Sequence, residues 1–308
     1  MKIKKIQSDE AGSVLLLVLM LMIALLGFTA LVTDAGLIYI NQAKMANAMD
    51  SAVLSGVQEL PNNPERAITV AENYAEQNGV TAQEVDFEVD SQNRTISATA
   101  NRQLGLFFAR ALGFQIAAIS AHAQARIAAI SAATGVVPFG VLEGDLTFGQ
   151  QMILKEGGGD GDTGWFNALS LGSNGASTYL DNIKYGYSEE IKAGLTVPTE
   201  SGNMSGPTSE GIEYRNNQCH HVPRCTVDSF AEGCSRILII PVIRITDMDN
   251  QGNVSFVEVV GFAAFLVDQF IGSGNENEVR GSFIKYVIPG KTSGDGGDYG
   301  LYGCKLTE

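Results

Sequence analysis

The sequence predicts an α+β chain. A long N-terminal helix begins as a transmembrane segment and continues as a stalk, a small α/β unit follows, and the C-terminal region is mainly β, a sandwich or barrel. Three observations carry this. Residues 13–33, "SVLLLVLMLMIALLGFTALVT", hold no charge. No proline and no cluster of glycines or charges interrupts the helical pattern from there to Pro61. Beyond residue 133, short apolar runs alternate with Gly, Asn, Asp and Ser, and 35 glycines stand against 8 prolines, the texture of strands joined by turns.

At about 1.5 Å per residue the uncharged run covers roughly 30 Å, the thickness of a bilayer core. A secretory signal has an apolar region of only about 7–15 residues, and no small-x-small cleavage pattern closes this one. A retained anchor is therefore preferred over a cleaved signal or a buried core helix. Lys2, Lys4 and Lys5 precede the run, and basic residues mark the cytoplasmic side while Asp9 and Glu10 count for little. The N-terminus is expected in the cytoplasm and everything after Thr33 outside. Asp34 reads as a solvated acid at the outer interface; the sharper reading is an assembly contact within the membrane.

After Asp34 the helical period continues. Ile38, Met45, Met49, Ala52 and Val53 share one face, and Asn41, Lys44, Asn47, Ser51 and Ser55 another. Pro61 and Pro64 forbid continuation, so one helix from Ser13 to Leu60 would be roughly 70 Å long. Asp34, Met45, Met49 and Ala52 are the candidate assembly contacts. "PERAITVAENYAEQNG" follows as an amphipathic helix, opened by Pro64 and closed by Gly79. "EVDFEVD" and "RTISATA" alternate on either side of "SQN" as a hairpin. "LGLFFARALG" reads as a short helix and "FQIAAISAHAQARIA" as strand. The expected divisions are 1–60 for head, anchor and stalk, 61–133 for the small α/β unit, and 134–308 for an extracytoplasmic β-rich domain, in which "RILIIPVIRIT", "VSFVEVVGFAAFLVDQF" and "RGSFIKYVIPG" are the firmest strands.

Candidate chemistry is sparse. "DMDNQGNVSFVE" places Asp247, Asp249, Gly252 and Glu258 at positions one, three, six and twelve of a calcium loop. Gln251 at position five and strand-forming flanks favour a hairpin turn, leaving Asp247, Asp249 and Glu258 as weak metal candidates. "GGGDGDTG" gives Gly159, Gly161 and Gly164 the spacing of a dinucleotide loop, but no helix follows and Asp160 and Asp162 would repel a pyrophosphate. The four cysteines, Cys219, Cys225, Cys234 and Cys304, all lie in the last third. An even number confined to one exported region predicts two disulfides, with three pairings open. Zinc is the alternative, disfavoured because the spacing is not Cys-x-x-Cys and the adjacent His220 and His221 cannot easily face one ion. His122 reads as structural. No G-x-S-x-G or H-E-x-x-H motif occurs, so the residues do not argue for an enzyme or a cofactor. A formal charge of −14 is the wrong sign for a nucleic-acid partner.

"DEAGSVLLLVLMLMIALLGFTALVTDAGLIYINQAKMANAMDSAVLSG" resembles the N-terminal region of the TadE/TadG-like proteins of tight-adherence (Flp) pilus assembly. The features that carry the resemblance are Gly12 before the apolar run, Asp34 with Gly36 after it, and Asn47, Asp50 and Gly56 on the stalk. It continues through "AENYAEQNGV", the strand pair, "LFFARALG" and "ISAHAQARI", covering about residues 8–130; "GNMSGPTSEGI" and "GFAAFLV" are similar to the outer regions of some members. The resemblance implies a membrane-anchored, pilin-like component of a Tad/Flp pilus or related secretion assembly. Its partners would be the membrane, other pilus-assembly subunits and further copies of itself. One departure matters: prepilins of this kind carry Glu at the fifth position after the cleavage-site Gly, and here that position is Leu17. The expectation is an unprocessed N-terminus and the role of an anchored assembly factor. The rival, from a different class, is a signal-anchored enzyme or ligand-binding module whose chemistry resides in residues 134–308.

Overall fold

The computed structural model describes residues 10–92, 94–156, 168–200, 202, 204–248, 254–272, 278–292 and 297–307. Helix α1, Glu10–Gly56, is continuous over 47 residues and ends in a 3-10 turn, Val57–Glu59, just before Pro61. At 1.5 Å per residue it is about 70 Å long. Helix α2, Pro64–Gln77, begins with proline at its first position, and the Asn63 side chain accepts the Arg66 N–H at 3.0 Å.

Strands β1 (Val85–Asp90) and β2 (Thr95–Gly105) form the expected hairpin, and β3 (Ile116–Ala133) runs antiparallel beside β2. The segment between β2 and β3 contains one 3-10 turn, Ala109–Leu112. The outer part of α1 lies on this sheet. Met45, Ala48, Met49, Ala52, Val53 and Val57 are buried at helical spacing. They face Ile96, Ala98 and Ala100 of β2 and Ile119, Ala121, Ala123, Ala125 and Ile127 of β3, every second residue of each strand. This corrects one expectation: Met45, Met49 and Ala52 meet the chain's own sheet rather than another subunit. The reason lies in that sheet, whose inner face is largely alanine and admits the longer methionines.

Helix α2 completes this core with Ala67, Ala71 and Ala75. Gly56 sits at the crossing of the two helices. A Cβ there would lie 2.7 Å from the Ala67 carbonyl oxygen and 2.9 Å from Ile96 Cδ1, so only glycine lets the backbones approach this closely.

The remaining elements are β4 (Val141–Leu142), β5 (Gln151–Glu156), α3 (Ala176–Tyr185), β6 (Ile191–Lys192), β7 (Thr196–Pro198), α4 (Ser205–Asn217), β8 (Ile237–Met248), β9 (Val254–Ile271), β10 (Glu278–Ile284), β11 (Tyr286–Val287), β12 (Lys291–Thr292) and β13 (Leu301–Leu306). The second sheet runs β4-β8-β9-β10-β5, with β7 on β9. The first runs β1-β2-β3-β13-β11, with β6 and β12 on the far end of β3. The architecture is α+β, with curled sheets making the C-terminal region mostly β.

The last strand thus returns to the first sheet. Tyr302 pairs with Ala129 and Leu306 with Ala125, and Tyr302 is buried in the core beneath α1. Arg94, at the β1–β2 turn, pairs with Asp298, which also accepts the Tyr302 hydroxyl at 2.7 Å. The β8–β9–β10 face carries a separate core in which Phe265 and Phe283 meet edge to face, 5.0 Å between ring centres.

Candidate membrane-docking site and cysteine–histidine cluster

From Ser13 to Thr33 the side chains of α1 are exposed, apart from the half-buried Ala30. A helix that turns apolar residues outward on every side is built for lipid. Asp34 ends this stretch, and here the structure departs from the expected solvated acid: Asp34 is only 5% exposed. Its carboxylate accepts three backbone N–H groups, from Phe107 at 2.8 Å, Phe108 at 3.0 Å and Ala109 at 2.6 Å. These belong to the start of the 3-10 turn, where the N–H groups have no partner inside the turn. Three convergent N–H dipoles form a small anion-holding nest, so the acid is neutralised by backbone from a segment more than seventy residues away. Just beyond, Gln42 donates to the Ser120 carbonyl of β3.

The segment that holds Asp34 shows an apolar rim. Phe107 is 69%, Leu112 80% and Phe114 67% exposed, with Phe108 and Ile116 also exposed. Exposed side chains of this size, close in sequence and beside the end of a helix long and apolar enough to cross a membrane, are of the kind that marks an interaction site. The sequence offered the signal, five large apolar residues within 107–116, but they read as ordinary helix and strand until Asp34 placed them at the end of the span.

The second site lies between α4 and β8. Cys219, two residues beyond α4, meets Cys225 and Cys234 from the following loop, with His221 beside them. The ligand atoms of the four lie within 4.8 Å of one another. Cys219 Sγ is 3.5 Å from Cys234 Sγ and 3.6 Å from His221 Nδ1, and the Ala231 N–H donates to Cys225 Sγ at 3.4 Å. Burial works to raise the Cys219 thiol, but hydrogen bonds from His221, from the backbone and from Cys234 outweigh it and hold it at about 6. Burial and the sulfur of Cys219 push Cys234 up to about 12 against the backbone N–H of Arg236. Below the cluster the buried Arg236 donates to the carbonyls of Val267 at 2.9 Å and Cys225 at 2.8 Å, fixing the loop on the second sheet.

Cys304 does not join them. It lies on β13 opposite Ile127 and packs with the core under α1, whereas the other three belong to the core of the second sheet. No bond joins any two of the four in the structure, so the expected pair of disulfides is not seen, and Cys304 stands on a different core from the other three. The return of β13 to β3 carries Cys304 away from any partner.

Strands flank the acidic turn as expected for a hairpin: Asp247 on β8 is exposed opposite Phe256, and Glu258 on β9 is engaged by Arg244 at 3.6 Å. Asp249 and the "GGGDGDTG" segment lie outside the described residues. His122 Nδ1 meets Thr99 Oγ1 across β2–β3 at 3.0 Å. A cleft of about 650 Å³ separates the end of the stalk, at Glu59 and Asn62, from Phe230 of the cysteine loop and Tyr286.

No curated protein and no solved structure matches the chain. A family model matches the long helix: residues 12–59, from the start of α1 through its terminal 3-10 turn, are similar to the family described as "Putative Flp pilus-assembly TadE/G-like".

Proposed function

We propose that the protein is a membrane-anchored, pilin-like component of a Tad/Flp pilus or related secretion assembly, working through subunit and surface contacts rather than catalysis. The observation that carries this reading is α1 itself. The stretch similar to the pilus-assembly family runs without a break from lipid-facing helix into the core of the first sheet. Span and body therefore move as one object, and the body stands outside at a fixed height with the N-terminus in the cytoplasm. The rim of Phe107, Leu112 and Phe114 seats in the outer leaflet, since it adjoins the end of the uncharged run.

Because Met45, Met49 and Ala52 are consumed by the chain's own core, contacts with other subunits or further copies fall to the outward face of α1. Tyr39 and Ile40 are the large exposed residues there. Photo-crosslinking tests this in cells that build the appendage. A crosslinker at Tyr39 or Ile40 should capture pilus-assembly subunits or a second copy, and one at Met49 should capture nothing outside the chain. Protease added to intact spheroplasts should also remove the body beyond Asp34. Protection of the body, or capture from Met49 but not Tyr39, would refute the arrangement.

A further inference from the structure

We propose that Cys219, His221, Cys225 and Cys234 form a closed structural site for a zinc ion. The geometry supports this on three grounds. First, the donor set is three sulfurs and one imidazole nitrogen, four ligands of the kind a borderline-soft, tetrahedral ion takes in structural sites that leave no position open. Second, the separations suit one shared ion. With Zn–S of about 2.3 Å and Zn–N of about 2.0–2.1 Å, tetrahedral ligands stand roughly 3.8 Å apart for two sulfurs and roughly 3.6 Å apart for sulfur and nitrogen. Cys219 and Cys234 are 3.5 Å apart, and Cys219 and His221 Nδ1 3.6 Å. All the ligand atoms lie within 4.8 Å of one another, so no pair need close by more than about 1 Å around the ion.

Third, the surroundings suit thiolates. Backbone N–H groups point at the sulfurs: Ala231 at Cys225, His221 and Cys225 at Cys219, and Arg236 at Cys234. Such outer contacts offset the charge of bound thiolates and orient them. A disulfide reading accounts for the group less well, because three sulfurs converge and one bridge would strand the third, with Cys304 on the other core. The ion would also do work that the fold leaves open. Between the end of α4 and the start of β8 the chain has only turns and one isolated bridge, Thr226 with Ser229. Four ligands from one stretch of sixteen residues fasten that loop, each thiol releasing its proton to solvent on binding. His220, exposed and outside the cluster, takes no part.

The test uses the full chain, purified in detergent without reductant, with metal content read by mass spectrometry and thiols by titration. About one zinc per chain is expected in the wild type and in the controls Cys304→Ser and His220→Ala. It should be lost from Cys219→Ser, Cys225→Ser and Cys234→Ser and weakened by His221→Ala. Replacing zinc with cobalt in the wild type should give the absorption of a tetrahedral thiolate centre, a readout that depends on no variant folding. A Cys219–Cys234 disulfide without metal, four free thiols without metal, or full zinc content in Cys225→Ser would each overturn the proposal.

Discussion

Asp34 Oδ2 and the backbone N–H of Ala109 stand 2.6 Å apart, and with Phe107 and Phe108 this contact joins the end of the exposed apolar stretch of α1 to the loop between β2 and β3. The contact turns an expensive position into a structural one. A carboxylate at the edge of a bilayer needs solvent or partners, and three N–H groups supply partners while giving the loop a single height relative to α1.

Replacing Asp34 with Ala leaves those three N–H groups without their acceptor. Residues 106–116 should then exchange amide hydrogens faster and be cut more readily by protease, while the α1–β2–β3 core keeps its protection. Asp34→Asn, which retains one acceptor oxygen, should fall between. Hydrogen exchange on protein in nanodiscs measures both; unchanged exchange at Phe107–Ala109 in Asp34→Ala would show that the nest does not order the loop.

The rim makes a second prediction. A tryptophan placed at Phe114 should be quenched by brominated acyl chains in nanodiscs, and the double variant Phe107→Asp, Leu112→Asp should reduce that quenching. A Phe114→Trp fluorophore quenched only by aqueous iodide would mean that the rim stands clear of lipid.

At Gly56 two effects compete. Alanine in place of this last helical glycine, whose backbone is right-handed helical, gains at most about 1 kcal/mol in propensity, but its Cβ would meet a backbone carbonyl oxygen at 2.7 Å. A carbonyl cannot rotate away as a side-chain end can, so the clash outweighs the gain. Gly56→Leu should destabilise by about 1–3 kcal/mol or more, and Gly56→Ala should have the same sign and smaller size. Thermal unfolding in detergent decides it, a rise in Tm for Gly56→Ala being the contrary result.

Glu84 gives a pH dependence. Arg102 holds its carboxylate through two bonds, at 2.6 and 2.8 Å, and the Thr81 N–H adds a third at 2.9 Å. Led by Arg102, these hold it at about 2, against 4.5 for a free group. Because the folded value is depressed, the stabilisation is complete above the unfolded value and drains away as pH falls from about 4.5 toward 2. Glu84→Gln should therefore cost on the order of 1–2 kcal/mol at pH 7 and progressively less toward pH 3. Denaturant melts at the two pH values test this; an equal penalty at both would remove Glu84 from the account.

Helices α1 and α2 and the β1–β2 hairpin were legible because their signals are local: an uncharged run, a 3.6-residue period, Pro61 and Pro64, alternation either side of a turn; α3 and α4, within a region read as strands and turns, were not. Periodicity showed that Met45, Met49 and Ala52 share an apolar face. It could not show what covers that face, because the answer lies in alanines of β2 and β3 up to eighty residues on. Asp34 was visible as an acid after an apolar run, but its partners are backbone groups, which sequence does not mark. The arrangement of the cysteines was not legible for two related reasons. Counting four treated Cys304 as equivalent to the rest, although β13 carries it to the other core. Spacing alone also hid that His221, and not His220, turns toward the sulfurs.

Strand β3 has a mechanical consequence. Over 18 residues, about 60 Å of extended chain, its start adjoins the apolar rim and its end is gripped by β6 and β12. Between these, β2 pairs with residues 116–126 on one side and β13 with residues 125–129 on the other. With α1 held in a membrane, a pull on the outer region would enter β3 and β13 at ends that lie side by side, so the load would fall lengthwise on the β2–β3 ladder, whose eleven residue pairs would have to yield together rather than one at a time. Under such a load the small sheet beneath the stalk would act as a clamp, its resistance set by how fast that ladder can open.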